Sequence, residues 1–141
     1  MLLLLLSDNM NKDKLVIRAN ILDQNTMRFD ILDQTGMEVN RLIQTGMEAN
    51  TLYQNYMKSD VVDQSYVNIG SLYTGEEASF GKWNLKGAKI RKWEGDLIYF
   101  TEIHTDENTK IPEKLRNAID NQEFMLDAQK YMEYLLSLIH I

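Results

Sequence analysis

The chain contains no cysteine. Disulfide scaffolds, cysteine zinc sites and thiol catalysis are therefore excluded at once. There are two histidines, His104 and His140, and a triad or metal cluster would need partners that the sequence does not place beside either. Glu102 and His104 would share one face of a strand, but a single histidine among carboxylates reads more simply as a solvated strand end. Long hydrophobic runs are missing. Leu2–Leu6 is too short to span a bilayer, and it lacks the basic start and small-residue cleavage site of a signal peptide. Positive charge is scarce: Lys+Arg 15 against Asp+Glu 21 gives −6, a poor balance for coating a phosphate backbone. Neither a P-loop nor the dinucleotide, nucleophile-elbow or H-E-x-x-H motifs occur. No enzyme, no cofactor, no metal, no nucleic-acid partner and no membrane span are expected.

What is present is an ordinary globular balance, 44% hydrophobic and 26% charged over 141 residues, about one domain's worth. Within it lies a repeat. Residues 21–70 read in tens as ILDQNTMRFD, ILDQTGMEVN, RLIQTGMEAN, TLYQNYMKSD and VVDQSYVNIG. Gln24, Gln34, Gln44, Gln54 and Gln64 share one column, and Met27, Met37, Met47, Met57 and Val67 another. Leu22, Leu32, Leu42, Leu52 and Val62 form a third, and Asp30, Asn40, Asn50, Asp60 and Gly70 close the units. This is an internal repeat rather than a bias of composition.

The large apolar anchors recur every five residues: Leu22, Met27, Leu32, Met37 and onward. On an α-helix, a step of five rotates by about 140°, so no single face would collect them. Met27-Arg28-Phe29 and Met37-Glu38-Val39 instead alternate with period two, the signal of a strand. The Asn, Asp and Gly closing each unit are expected to supply turns. Such a row of short strands must stack on itself as a solenoid, with half a coil per repeat, or intertwine with copies of itself in a trimer. A helix over Met47–Lys58 is the competing reading. The polar columns lack the paired glycines of ion-binding β-rolls and read as amide ladders and turn residues.

After Gly70 the composition changes. Ala78–Ile90 and Arg91–Phe100 read as strands joined by glycine turns, a small β-hairpin module with its turn at Glu94-Gly95-Asp96. Lys82, Lys86, Lys89, Arg91 and Lys92 alternate with Trp83 and Trp93, and read as the solvated face of that hairpin. The phrase Ala78-Ser79-Phe80-Gly81-Lys82-Trp83-Asn84-Leu85-Lys86-Gly87-Ala88-Lys89-Ile90 resembles a motif of tail-associated structural proteins of tailed phages and prophages. That motif runs A-x-I-G-x-W-x-I-x-G-x-x-I, and the chain departs from it at Phe80 and Lys82. The resemblance implies a virion tail segment of tail-tip or fibre type that supports host attachment. It also implies trimeric assembly with other tail proteins and no catalytic residues to transfer.

Ile111-Pro112-Glu113-Lys114 opens a helix, with proline suited to the first turn. Leu115, Ala118, Ile119, Met125, Leu126, Met132 and Leu136 form one apolar line, and Phe124, Ala128, Tyr131, Leu135 and Leu138 a second. The expected fold is mainly β with a C-terminal α-helix. Its parts are an artefactual start (1–14), a repeat shaft (15–74), a Gly/Trp hairpin (75–105) and an amphipathic helix cut short (111–139). The alternative function is a carbohydrate- or surface-binding β-repeat module of a secreted or cell-surface protein. In that reading Trp83, Trp93 and Tyr99 form the surface that contacts a glycan.

Overall fold

The computed structural model describes residues 17–139. The readings for residues 1–14, for His140 and for the side chains of Phe124 and Met125 lie outside the described residues. Among the described residues the fold is mainly β with a C-terminal helix, and its strands stack as a β-solenoid of about four turns. The strands are β1 (Arg18–Asp23), β2 (Arg28–Asp33), β3 (Glu38–Ile43), β4 (Glu48–Tyr53), β5 (Lys58–Asp63), β6 (Asn68–Thr74), β7 (Ser79–Asn84), β8 (Lys89–Gly95) and β9 (Glu102–His104). The helix is α1 (Glu113–Ile139).

Odd strands form one sheet in the order β1-β3-β5-β7-β9, and even strands a second in the order β2-β4-β6-β8. Every pairing is parallel. Leu22 lies against Leu42, and Leu42 against Val62, so like residues stack at every second repeat. One repeat is half a coil. The core is thereby closed within a single chain, and an intertwined trimer is not needed to bury it. Met47–Lys58 is no helix: its residues enter β4, a corner and β5.

The five-residue step has a direct cause. Met47, Ala49, Leu52 and Gln54 are buried, while Glu48 and Asn50 are exposed and Thr51 and Tyr53 half-buried. Inward positions thus alternate in spacings of two and three. Two consecutive outward residues, Asn50 and Thr51, bend each strand in its middle. The second bend is a β-turn at Asn55-Tyr56, closed by Met57 N–H donating to Gln54 C=O at 3.3 Å. The expected turn column is therefore corrected. Asp30, Asn40, Asn50 and Asp60 stand mid-strand on the solvent side, where they form short polar ladders. Asn40 Nδ2 donates to Asn20 Oδ1 at 2.8 Å, and Asn50 Nδ2 to Asp30 Oδ1 at 2.7 Å.

The true corners carry left-handed backbone at their second residue, namely Thr26, Gly36, Gly46, Tyr56, Tyr66 and Gly87. That is the turn position at which glycine costs least. Asp23, Asp33 and Asp63 brace the corners by accepting the backbone N–H two residues on, each at 3.0 Å.

The hairpin of residues 75–105 is also corrected. Consecutive β7 and β8 belong to different sheets and continue the solenoid in parallel. The corner Thr74–Ala78 holds one extra residue, with left-handed backbone at both Glu76 and Glu77. Beyond it Val62 pairs with Trp83 and Leu72 with Trp93, 21 residues apart instead of 20. The slip hides the repeat from a ten-column reading, yet Phe80, Trp83, Leu85, Ala88, Ile90 and Trp93 hold its inward positions.

The start of α1 closes the last coil. Leu115 and Ile119 are buried against the core, and Lys114 Nζ reaches Glu94 Oε1 at 2.7 Å. Further along, Tyr131, Met132, Tyr134, Leu136, Leu138 and Ile139 are exposed. Among the described residues no helix is long and apolar enough to cross a membrane.

Candidate functional site

The solenoid interior holds an unusual polar element. Gln24, Gln34, Gln44, Gln54 and Gln64 are all buried, at 2% exposure or less. Their amides bond to one another across and along the coils. Gln34 Nε2 donates to Gln24 Oε1 at 2.9 Å, and Gln44 Nε2 donates to Gln24 at 2.8 Å and to Gln34 at 3.1 Å. Gln54 Nε2 donates to Gln34, and Gln64 Nε2 to Gln44 and Gln54. Among the described residues no buried side-chain nitrogen or oxygen lacks a partner. A buried amide is tolerable only when so satisfied, and a fully bonded network then fixes register. The amide ladders read from the sequence are thus present, and their role is internal.

Trp83 ends this network, and Trp93 makes a separate bond on the next half-coil. Trp83 Nε1 donates to Gln64 Oε1 at 2.6 Å, and Trp93 Nε1 donates to Thr74 Oγ1 at 2.8 Å. Their rings stack on the apolar columns, Trp83 on Val62 and Trp93 on Leu72, with Trp83 packed edge-on against Phe80 and Phe100 at 5.6 and 5.1 Å. Trp83 is 0% exposed and Trp93 4%. The glycan-contacting surface expected of Trp83, Trp93 and Tyr99 does not form. Tyr99 alone is exposed, and the two indoles spend their polar edges inside the fold.

The Glu102–His104 pair does come together at the end of β7's sheet, where His104 Nε2 and Glu102 Oε2 are hydrogen-bonded. This bond, with Lys82 3.9 Å away, holds the Glu102 carboxyl below the usual range. Among the described residues no three potential metal ligands of the His, Cys, Asp and Glu type gather. At the corner after β9, desolvation alone would raise the Asp106 carboxyl. Hydrogen bonds from Gly87 N–H, the Thr109 hydroxyl and Asn108 N–H outweigh it and lower the pKa.

Two concave surfaces stand out among the described residues. One, of about 880 Å³, is an apolar groove between α1 and the Trp93–Phe100 segment, lined by Leu97, Ile98, Phe100, Ala118, Leu126 and Met132 among others. The other, of about 280 Å³, is a polar trough on the outer face of the even-strand sheet. Its walls are two neighbouring outward columns. Arg28, Glu48 and Asn68 form one; Asp30, Asn50 and Arg91 form the other. Gly70 stands in the second column between Asn50 and Arg91, where a Cβ would lie 2.5 Å from Asn50 O. From the next rung the Arg91 guanidinium reaches back to donate to Asn68 Oδ1 at 3.1 Å. Arg28 and Glu48 pair at 3.3 Å. The sequence marked Arg91 only as part of a basic cluster; its place beside Gly70 depends on the 21-residue offset. No family model, no characterised protein and no solved structure matches the chain.

Proposed function

We propose that this chain is a structural segment of a phage or prophage tail, of tail-tip or fibre type. It acts without catalysis, in the virion, as a homo-oligomer in contact with other tail proteins and in support of host attachment. The observation that carries the reading is the single-chain parallel solenoid whose interior is pinned by the glutamine ladder. Each added coil extends a stiff body without changing its cross-section, which suits a load-bearing part. The Gly-Trp phrase that resembles tail proteins supplies core positions of this body. Its likeness is therefore one of architecture and not of a ligand site.

The test is immunogold electron microscopy of virions purified after induction of the source culture, with an antibody raised against the purified chain. Gold confined to tails supports the reading. Unlabelled virions, with label on the cell envelope, overturn it.

A further inference from the structure

We propose that the trough on the even-strand sheet binds a neutral, polyhydroxylated chain, an oligosaccharide without charged groups. The argument starts from the side chains. Arg28, Asp30, Glu48, Asn50, Asn68 and Arg91 present donors and acceptors in planar amide, carboxylate and guanidinium groups. Such groups pair well with the adjacent hydroxyls of a sugar. Two cations face two carboxylates, so the trough carries no net charge with which to select a polyanion or a polycation.

The geometry adds direction. Arg28, Glu48 and Asn68 stand on three consecutive rungs, and Arg91 on the fourth. Rungs of a sheet are roughly 4.8 Å apart. That spacing is close to the rise of one pyranose in an extended chain, so a linear glycan along the solenoid axis would meet a repeated set of partners. The pre-set Asn50–Asp30, Arg91–Asn68 and Arg28–Glu48 contacts fix the side chains before binding and so reduce the ordering cost.

The site is different from the tryptophan surface expected from the sequence, and it does not depend on residence in a virion. Glycan binding without tail labelling would leave the trough in place and remove only the tail reading. The test is a printed array of neutral and uronate-containing oligosaccharides, probed with the whole chain at low salt and at 0.5 M salt, an ionic strength of about half molar. Expected is binding to neutral oligosaccharides that survives the higher salt. Arg91→Ala and Asn50→Ala should each weaken it about tenfold or more, with unchanged thermal melting. Lys82→Ala, on the other sheet, should leave it unaltered. Absence of binding to any neutral oligosaccharide overturns the proposal. So does binding confined to uronates and abolished by salt, or binding that persists undiminished in folded Arg91→Ala.

Discussion

Trp83 Nε1 donates to Gln64 Oε1 at 2.6 Å, and at this bond the amide-filled interior gives way to an aromatic one. On the next half-coil Trp93 makes the equivalent bond to Thr74 at 2.8 Å. This second pair is the better one to dissect, because no other side-chain hydrogen bond of Thr74 is seen among the described residues. Trp93→Phe strands the buried Thr74 hydroxyl, and Thr74→Val strands the indole N–H. The double variant strands neither. A double-mutant cycle in urea should therefore give a coupling of about 1–2 kcal/mol, the double costing less than the sum. Strict additivity would show that the bond carries no weight.

The ladder predicts a gradient along one residue type. Gln44 bonds to Gln24, Gln34 and Gln64, whereas among the described residues Gln24 at the first coil only accepts, from Gln34 and Gln44. Gln44→Leu should cost about 2–4 kcal/mol by leaving buried amide groups short of partners. Gln24→Leu should cost clearly less. If both fall within about 0.5 kcal/mol of wild type, as surface substitutions do, the column does not face inward.

Glycines of two kinds should answer differently to alanine. A Cβ at Gly70 would sit 2.5 Å from Asn50 O, backbone that cannot yield without parting two rungs. Gly70→Ala is expected to cost about 1–3 kcal/mol or more through overpacking. Gly36 has open space around it and pays only for its φ of +77°. Gly36→Ala should cost about 1–2 kcal/mol. Conversely Thr26, at φ 58°, is a β-branched residue in a glycine position, and Thr26→Gly should raise stability by up to about 1 kcal/mol. Chemical denaturation of the three variants checks the order.

Acid should act through Asp106. Its folded pKa lies below the ordinary 3.8, so the unfolded state takes up its proton first as pH falls. The stabilisation is therefore whole well above pH 3.8 and is lost as pH drops through the depressed value. Asp106→Asn should flatten this part of the stability profile between neutral pH and pH 3. A variant as acid-sensitive as wild type there would assign the acid transition to other carboxylates.

Much of the fold was legible because the anchors step by five. Leu42, Met47, Leu52 and Met57 on their own exclude a helical face, and the short in-out-in runs around them are strands. The same columns allowed half a coil per repeat or an intertwined trimer, and the register of like residues at every second repeat decides for the half coil. What misled was the mid-strand bend and the single extra residue. Asp30 and Asn50 look like turn formers, yet the chain turns at Asn25-Thr26 and Asn55-Tyr56, where threonine and tyrosine accept left-handed backbone. The residue inserted between Thr74 and Ala78 shifted Trp83 and Trp93 out of column, so core residues passed for an exposed hairpin face. The polar trough was not legible at all. Its two columns come from residues 20 or more apart, and Arg91 joins them only through the 21-residue offset.

The parallel stacking of every second repeat is tested most directly with paired spin labels, which the absence of cysteine makes simple to place. Ile31 and Thr51 are outward neighbours on adjacent rungs, while Ile31 and Arg41 lie on different sheets. Labels at Ile31→Cys and Thr51→Cys should show strong spin–spin broadening, since adjacent rungs lie roughly 4.8 Å apart. Labels at Ile31→Cys and Arg41→Cys should show far less. Broadening in the second pair but not the first would contradict the solenoid, as would none in the first, the result for a continuous helix that sets 20 residues about 30 Å apart.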